Sequence, residues 1–244
     1  MLLLLKYNKI NLFIYNMILI LFVFLLILIV YALHQNQFKE NFDNEIPVYL
    51  ISMEKDIIRR NNLFKYVTPN EYSSVDGSKL LPIKTLKNMN IVAKEDLKKG
   101  EIGCYLSHYN ILNKIKNYKD DYSIIIEDDV EFDINKNINI IKDLINNAPK
   151  DWEIIFIGHN YYETIQTDQH HIFNEYTFKK IKQVYGTQSY IINNKVISSK
   201  INKLLPIKVP FDIVLPSIFT CYIIEPQLTN LSKFGEVSNT QGIN

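Results

Sequence analysis

Short apolar runs of strand length alternate with helical segments along most of this 244-residue chain. The run "IPVYLIS" (46–52) precedes a segment with apolar residues at helical spacing, and "YSIIIEDDV" (122–130) precedes the helical "INIIKDLINNAP" (138–149). A further strand-length run, apolar except for Glu153, is "WEIIFIG" (152–158). Because strands buried on both faces are continuously hydrophobic, this alternation predicts an α/β fold with a mixed, mainly parallel sheet flanked by helices.

Three stretches depart from this pattern. Gly100 and Gly103 are expected to break the chain ahead of a helix whose apolar face begins near Leu106. The polar stretch at 161–178 predicts a loop, and "QVYGTQSYIIN" (183–193) predicts a strand or a hairpin at the edge of the sheet.

A charge-free apolar segment at 17–33 lies near the N-terminus. As a helix it is about 26 Å long, and a bilayer core is about 30 Å thick, so it can span a membrane with help from the apolar residues upstream. Lys6 and Lys9 precede it and no basic residue follows until Lys39, which predicts a cytoplasmic N-terminus. The alternative is a cleaved signal peptide, whose apolar region is usually about 7–15 residues long and ends in a small-x-small site.

These features divide the chain into four predicted regions. They are a short cytoplasmic N-terminus at 1–16, a transmembrane signal anchor at 17–33, a stalk at 34–44 and one catalytic-size domain at 45–244. The prediction is therefore a single-pass type II membrane protein whose domain lies on the side opposite the cytoplasm.

The charge balance argues against a nucleic-acid partner. The chain has 27 lysines and arginines against 26 acidic residues, for a net charge of +1. No basic stripe interleaves with aromatic residues, as a nucleic-acid surface would require. Cys104 and Cys221 could pair in an oxidising compartment, but two cysteines so far apart in the sequence do not define a disulfide framework.

Three consecutive carboxylates, Glu127, Asp128 and Asp129, close the apolar run that begins at Tyr122. Like charges this close repel one another, so the cluster is costly unless it is solvated or surrounds a cation. In extended geometry Glu127 and Asp129 point to one face and Asp128 to the other. Such sheets bind ligands at the carboxyl ends of their strands, and oxygen ligands suit Mg²⁺ or Mn²⁺ bound together with phosphates. A metal site is one interpretation of the cluster and a solvated acidic turn is the other.

The stretch "GEIGCYLSHYNIL" (100–112), followed by "IIIEDDVEF" (124–132), closely resembles glycosyltransferase family 25. This is the family of bacterial lipooligosaccharide galactosyltransferases and of the glycosyltransferase domains of procollagen galactosyltransferases. Further segments resemble the family in its own order and extend the likeness over nearly all of 46–244: "VYLISMEKDIIRR", "SSVDG", "DWEIIFIG", "YGTQSYIIN", "PFD" and "EPQL".

The resemblance implies a GT-A-type fold and an inverting, metal-dependent sugar transfer. The implied donor is a UDP-sugar, UDP-galactose above all, and the implied acceptor is a glycan, a lipooligosaccharide or a hydroxylysine-type protein residue. Within the family's acidic motif, Glu127 and Asp129 are the implied ligands of Mn²⁺ or Mg²⁺, and Asp128 is an implied donor-binding group. Two alternatives stay open. One is a catalytically inactive relative that binds a glycan or a protein. The other is a metal-dependent phosphohydrolase, for which the sequence has no nucleophile context and no second acidic cluster.

Asp212 lies in the segment that matches the family's P-x-D and is the candidate general base. An inverting displacement needs a carboxylate near the acceptor hydroxyl, on the face opposite the leaving group. The alternative is a helix N-cap, because a helix could begin at this residue.

Several other residues are candidates for binding the donor. Ser107 and His108 lie in the most family-like stretch, where a glycine-bounded loop entering a helix could present backbone N–H groups to phosphate. Stabilising that loop is their alternative role. Ser52 ends the first strand, and Arg60 follows at the place where such folds contact the nucleotide; its neighbour Arg59 is the less favoured candidate.

Weaker candidates complete the set. Asp76, in the V-D-G segment, could hold ribose or uracil through a hydrogen bond, or could simply form an Asp-Gly turn. Gly186 and Thr187 are expected to let the backbone pass close to donor or acceptor. His159 follows the strand at 152–158 and could complete the metal shell, although a lone loop histidine rarely does so.

Overall fold

The computed structural model describes residues 46–165 and 171–232. The predicted cytoplasmic N-terminus (1–16), membrane anchor (17–33) and stalk (34–44) lie outside the described residues. Within the described part of the chain, no helix combines the length and apolar character needed to cross a membrane.

Eleven strands and six α-helices are found in the described ranges. The strands are β1 (Val48–Ile51), β2 (Glu71–Ser73), β3 (Tyr122–Glu127), β4 (Val130–Glu131), β5 (Ile154–Gly158), β6 (Tyr161–Thr164), β7 (His171–Phe173), β8 (Tyr176–Tyr185), β9 (Ser189–Asn193), β10 (Cys221–Glu225) and β11 (Asn230–Leu231). The helices are α1 (Ile57–Leu63), α2 (Ile83–Asn88), α3 (Lys99–Ile115), α4 (Ile134–Asn146), α5 (Asn194–Lys200) and α6 (Phe211–Ile218), with 3₁₀ turns at Gly77–Lys79 and Ile201–Leu204.

One large sheet organises the domain. Among the described residues it has nine strands in the order β2-β1-β3-β9-β5-β10-β8-β6, with β7 paired to β8. β1 pairs in parallel with β2 and β3, and β5 pairs in parallel with β10. β9 lies between β3 and β5 and runs antiparallel to both. The strands β1, β2, β3, β5 and β10 therefore share one direction. The predicted mixed, mainly parallel sheet is therefore confirmed. A small ribbon of β4 and β11 lies beside it.

Helices cover both faces of this sheet, and β3 shows why its sequence is continuously apolar. Ile125 packs into a core with side chains from α2, α3, α5 and α6. Ile124 and Ile126 point the other way, into a core with α1 and α4. All three isoleucines are fully buried, and burial of each contributes about 1.5–3 kcal/mol relative to exposure. Alternate side chains of β3 thus pack into two different cores. The sequence of this strand can become polar only where the strand leaves the sheet.

The glycines of the family-like stretch lie inside a helix, so the prediction that they break the chain is wrong. Gly100 and Gly103 both belong to α3. A Cβ atom on Gly103 would lie 2.7 Å from the Val75 carbonyl oxygen and 2.8 Å from the Gly77 nitrogen, which no real Cβ tolerates. Gly103 instead lets α3 approach the backbone of the turn after β2. In a sequence, glycines that permit a close contact between a helix and a turn look the same as glycines that break a helix.

Two further expectations about the second half are also corrected. The stretch 161–178 contains β6, β7 and the start of β8 on either side of the undescribed residues 166–170, and is not simply a polar loop. Many of its side chains are polar because one face of these strands meets solvent. The strand within "QVYGTQSYIIN" is β9, which lies in the centre of the sheet rather than at its edge. Its neighbours β3 and β5 come from distant parts of the sequence, so local pattern alone does not place it.

Candidate active site

The carboxyl ends of β1, β2, β3 and β5 meet at one edge of the sheet, and two cavities open there. The first cavity lies between the end of β1, the turn after β2 and helix α3; its lining includes Ser52, Arg59, Val75, Gly77, Ser107 and Asp128. The second cavity lies between the segment before β9 and the start of α6; its lining includes Asn160, Tyr185, Thr187, Gln188, Phe211 and Asp212. Cys104, Glu127 and Asp129 line both cavities and therefore form the boundary between them.

The three consecutive carboxylates sit at this boundary. Glu127 is the last residue of β3, and Asp128 and Asp129 form the turn into β4. The Ser232 N–H donates to the Asp129 carbonyl oxygen at 2.7 Å, which ties the turn to the end of β11. Asp128 lines only the first cavity, whereas Glu127 and Asp129 face both. All three carboxylates share the first cavity, so the division between opposite faces that extended geometry predicts is not observed. Asp128 and Asp129 form a turn and do not continue the strand.

The three carboxylates place negative charge in a buried position, and hydrogen bonds from the rest of the fold compensate it only in part. Asp128 Oδ2 and Asp129 Oδ1 are buried without a hydrogen-bond partner. Burial raises the pKa of Asp128 to about 6, although Ser52 and Arg59 oppose the rise. Burial, followed by the charges of Glu127 and Asp128, raises the pKa of Asp129 to about 7. Unpartnered carboxylate oxygens at the end of a strand are the donor set that a hard divalent cation prefers, so these residues fit Mn²⁺ or Mg²⁺.

Glu127 differs from its two neighbours because a buried network holds it. Thr187 Oγ1 donates to Glu127 Oε1 at 2.7 Å, and His108 Nε2 lies 3.2 Å from the same oxygen. The other ring nitrogen of His108, Nδ1, lies 3.0 Å from the Tyr190 hydroxyl, and the ring stacks on Phe211 with centroids 4.6 Å apart. Burial alone would raise the pKa of Glu127, but the hydrogen bond from His108 brings it below the ordinary value. Glu127 is therefore ionised and fixed in position.

Ser107 and His108 support the site from behind. His108 is fully buried and is absent from the described lining of both cavities, so its side chain has no surface through which to touch a donor directly. The Ser107 hydroxyl accepts from the Val75 N–H at 2.8 Å and donates to the Gly103 carbonyl at 2.8 Å, although it also borders the first cavity. The expected glycine-bounded loop is helix, and the geometry gives His108 the role of positioning Glu127.

The two arginines exchange the roles expected of them. Arg60 is 9% exposed and donates to the Ser52 hydroxyl at 3.2 Å, to the Met53 carbonyl at 2.8 Å and to the Glu54 carbonyl at 3.2 Å. It therefore shapes the loop after β1. Arg59 lines the first cavity, with Nη1 3.6 Å from Asp128 Oδ1. Arg60 is absent from the described lining of the first cavity, so the geometry favours Arg59 over the predicted Arg60 as a donor contact. One residue's rotation around α1 decides which guanidinium faces the cavity.

Asp76 forms an Asp-Gly turn, the alternative role predicted for it. Its carboxylate accepts from the Ser78 N–H at 2.9 Å and from the Ser78 hydroxyl at 2.6 Å, and it caps the 3₁₀ turn at Gly77–Lys79. The hydrogen bond from Ser78 lowers the pKa of Asp76. Asp76 is absent from the described lining of the first cavity, although Val75 and Gly77 on either side belong to it. A contact of its side chain with ribose or uracil stays a prediction.

Asp212 lies in the first turn of α6 and faces the second cavity with Glu127 and Asp129. Its Oδ2 accepts from the Gly186 N–H at 3.0 Å and its Oδ1 from the Ile213 N–H at 2.9 Å. Gly186 has a φ of +89°, a left-handed conformation that glycine adopts readily. Burial raises the pKa of Asp212, against the two backbone hydrogen bonds. The N-cap interpretation is wrong, because the N-cap of α6 is Pro210 and no side chain caps the helix. Asp212 borders the cavity, and its role as general base stays a prediction.

His159 is not part of either cavity. It is 6% exposed, its ring packs edge-on against Tyr162 with centroids 5.1 Å apart, and its backbone N–H donates to Gln227 Oε1 at 2.9 Å. Burial lowers the pKa of His159. It is absent from the described cavity linings that contain Glu127 and Asp129, so the geometry does not favour it as a further metal ligand.

Four further side chains line the second cavity and are not among the predicted site residues: Glu101, Asn160, Tyr185 and Gln188. Gln188 Nε2 donates to Asn160 Oδ1 at 2.5 Å, which joins the segment after β5 to the segment before β9. Glu101, Tyr185 and Gln188 lie inside segments marked by the resemblance, "GEIGCYLSHYNIL" and "YGTQSYIIN", and Asn160 follows "DWEIIFIG" by two residues. Polar residues within and just after those segments were the available signal.

Several known proteins are similar to this chain in sequence. The family model described as "Glycosyltransferase family 25 (LPS biosynthesis protein)" matches residues 45–215. Procollagen galactosyltransferase 2 of Homo sapiens is 27% identical over 190 residues, which cover 69% of this chain and 30% of the relative. Procollagen galactosyltransferase 1 of Danio rerio is 26% identical over 212 residues, which cover 80% of this chain and 34% of the relative. A Rattus norvegicus protein described as "Probable inactive glycosyltransferase 25 family member 3" is 27% identical over 136 residues, covering 49% and 23%. The matched regions span about a third or less of these relatives.

Proposed function

Because this chain belongs to glycosyltransferase family 25, we propose that it transfers a sugar from a UDP donor to an acceptor hydroxyl on a glycan, a lipooligosaccharide or a protein. Galactose is the proposed sugar, inversion the proposed stereochemistry and GT-A the proposed fold type. The observation that carries the proposal is the boundary between the two cavities, where Glu127 and Asp129 face both sides. A divalent cation held there would lie where donor and acceptor have to meet.

The acidic turn is the proposed metal site. Glu127, fixed by His108 and Thr187, and Asp129, with its unpartnered Oδ1, are the ligands that would hold Mn²⁺ or Mg²⁺. When bound, such an ion neutralises the donor diphosphate and the charge that develops on the departing UDP. Asp128 faces the first cavity beside Arg59 and would bind or orient donor groups from that side.

The first cavity is the proposed donor site. Arg59 supplies a guanidinium that can form a paired hydrogen bond with phosphate oxygens. Ser52, held by Arg60, and the backbone from Val75 to Gly77 supply polar groups of the kind that recognise a nucleoside. The close contact between Gly77 and Gly103 holds this turn against α3.

Asp212 is the proposed general base. It would accept the proton of the acceptor hydroxyl as oxygen attacks the anomeric carbon and the bond to UDP breaks. The N–H groups of Gly186 and Ile213 orient its carboxylate. Because burial raises its pKa, Asp212 is a stronger base than an ordinary aspartate.

The charge of the second cavity favours one class of acceptor. Among the described residues that line it, the charged side chains are the carboxylates Glu101, Glu127, Asp129 and Asp212. Such a lining repels phosphorylated groups even after one divalent cation is bound. We therefore favour a neutral or cationic acceptor, a plain glycan hydroxyl or an amine-bearing protein residue, over a phosphorylated core glycan.

The membrane arrangement is a separate proposal. The charge-free segment 17–33 and the lysines before it support a type II anchor, with the catalytic domain on the side opposite the cytoplasm. Appending a glycosylation or protease reporter to each end of the full-length protein would test it. Modification of the N-terminal reporter by enzymes outside the cytoplasm would overturn it.

The experiment that tests the proposed activity is release of UDP by the full-length protein from a panel of UDP-sugars, with and without Mn²⁺. We expect metal-dependent release from UDP-galactose that increases with a suitable acceptor. The competing possibility is an inactive relative, which the similarity to a probable inactive family member keeps in view. Binding of UDP without release from any donor, with neutral, amine-bearing and phosphorylated acceptors all present, would favour it.

A further inference from the structure

We infer that Cys104, His108 and Glu127 form a binding site for a soft divalent cation of the zinc class, distinct from the proposed Mn²⁺ site and sharing Glu127 with it. Cys104 and His108 are four residues apart on α3 and therefore lie on one face of the helix. Glu127 reaches the same place from the end of β3. The Sγ, Nε2 and carboxylate oxygen atoms all lie within 4.8 Å of one another.

The spacing already matches part of a tetrahedral site. His108 Nε2 and Glu127 Oε1 are 3.2 Å apart. Two ligands on one zinc ion, each at about 2.0–2.2 Å, are separated by about 3.4 Å. An ion between these two atoms therefore needs little movement of either side chain, and Cys104 Sγ lies within reach as the third ligand. The fourth position opens toward the cavities, as in three-ligand zinc sites.

The surroundings prepare His108 for such an ion. With a cation on Nε2, the ring proton resides on Nδ1, and the Nδ1–H group can donate a hydrogen bond to Tyr190 Oη at 3.0 Å. Stacking on Phe211 fixes the plane of the ring. Thr187 keeps its hydrogen bond to Glu127. A buried partner on the far nitrogen is the feature that orients metal-binding histidines in general.

The site is accessible, and its chemistry selects the ion. Cys104 and Glu127 line both cavities, so a cation can approach from either. Cys104 is a free thiol; on binding, its proton leaves to solvent as the sulfur–metal bond forms. Thiolate and imidazole ligands favour Zn²⁺, Co²⁺ or Cd²⁺, whereas the all-oxygen set at Asp129 favours Mn²⁺ or Mg²⁺. Two neighbouring sites of opposite preference thus meet at one glutamate.

The shared glutamate has a functional consequence that rests on the proposed function. A soft cation on Glu127 withdraws one ligand from the Mn²⁺ site, so Zn²⁺ is expected to inhibit Mn²⁺-dependent transfer, and added Mn²⁺ to relieve the inhibition. Binding of the soft cation itself does not depend on transferase activity.

The test uses Co²⁺ alone as a probe of the full-length, reduced and metal-free protein. We expect about one equivalent of Co²⁺ to produce a thiolate-to-cobalt charge-transfer band, which Zn²⁺ then removes by displacement. Cys104→Ser should lose the band, and His108→Gln should weaken Co²⁺ binding by about 10-fold or more. The matched control is Cys221→Ser, a substitution of the chain's second free cysteine, which should leave the band intact.

A second measurement needs no variant. Zn²⁺ should protect Cys104, located by mass spectrometry, from a thiol-alkylating reagent in the wild-type protein, and Mg²⁺ should not. No cobalt–thiolate band in the wild-type protein, a band that survives Cys104→Ser, or alkylation of Cys104 that Zn²⁺ leaves unchanged would each overturn the inference. A cobalt–thiolate band in a protein that releases no UDP would support this site while counting against the proposed function.

Discussion

Two parallel strands, β3 and β10, end in carboxylates at the same edge of the sheet, and the fold treats these carboxylates in opposite ways. At the end of β10, Glu225 accepts hydrogen bonds from Lys179 and Tyr162. Burial would raise the pKa of Glu225, but the bond from Lys179 holds it below the ordinary value. At the end of β3, Asp128 and Asp129 keep buried oxygens without partners, and their pKa values rise to about 6 and about 7.

The difference indicates which end has a ligand still to bind. An ion pair such as Lys179–Glu225 is complete without anything else, and it braces β8 against β10. The β3 cluster is unfavourable on its own, because burying uncompensated charge costs free energy that a bound cation can return. Strained electrostatics of this kind are typical of functional sites, whereas satisfied pairs are typical of structural ones.

The largest expected effect is on activity at the β3 end. Asp129→Asn removes a charged metal ligand while nearly keeping its shape. We expect UDP-sugar turnover to fall by at least about 100-fold, because the loss of groups that merely support metal ligands already costs about 10–100-fold. Steady-state UDP release measures it. Glu225→Gln in parallel should stay within about twofold of wild type, and equal losses in the two variants would erase the distinction drawn between the strand ends.

The next prediction distinguishes the role of the general base in turnover from the role of the metal site in donor binding. Asp212→Asn should lower kcat by about 100-fold or more, within the range for loss of a general base. It should leave Mn²⁺-dependent UDP binding nearly unchanged, since the carboxylate lies in the second cavity, while the first is the proposed donor site. Comparison of kcat with the UDP dissociation constant decides the point; a parallel loss of UDP binding would assign Asp212 to the donor site instead.

The pH dependence of stability should differ between metal-free and metal-bound protein. The pKa of Asp129 is about 7 in the folded protein against 3.8 for an ordinary aspartate. The folded state therefore binds more protons between these values, and metal-free stability should fall as pH rises from about 4 to about 7, by an amount on the order of a few kcal/mol.

Chemical denaturation in a chelator at several pH values measures this loss. Mn²⁺ should restore most of it near neutral pH, and Asp129→Asn should flatten the profile. A metal-free protein whose stability rises across this window would contradict the account of the β3 end.

The smallest effect is on stability at the β10 end. Glu225→Gln breaks the pairing with Lys179, and Glu225 has a side chain that is 38% exposed. Solvent screening limits the expected cost to about 1 kcal/mol in the free energy of unfolding. Denaturant titration of the two variants sharpens the comparison, because Asp129→Asn should leave the metal-free protein as stable as wild type or more so at neutral pH.

Local pattern was enough for the parts of the site that one strand carries. The run from Ile124 to Ile126 indicated burial on both faces, and the acids after it marked the end of the strand. Strand alternation does not extend past Glu127, because Asp128 and Asp129 form a turn, and all three carboxylates line the first cavity. Family resemblance added Asp212, whose segment carries no comparable signal in its pattern.

What the sequence left undetermined depends on contacts between distant segments. Arg59 and Arg60 are chemically identical, and only the packing of α1 decides which one faces the cavity. Gly103 looked like a breaker because its partner, Gly77, lies in another segment. His108 was placed against the donor, whereas its contacts with Tyr190 and Glu127 come from strands far along the chain. Long-range packing, which no local window contains, settles each of these cases.

The most direct test of the central claim is Mn²⁺ binding to the full-length protein, followed by electron paramagnetic resonance with and without UDP. We predict that UDP promotes binding of one Mn²⁺ in the wild-type protein and in Glu225→Gln, and that Asp129→Asn loses this ion. If Asp129→Asn bound Mn²⁺ and UDP as the wild type does, the carboxylates at the end of β3 would not be the metal site, and the proposed chemistry would have to be placed elsewhere.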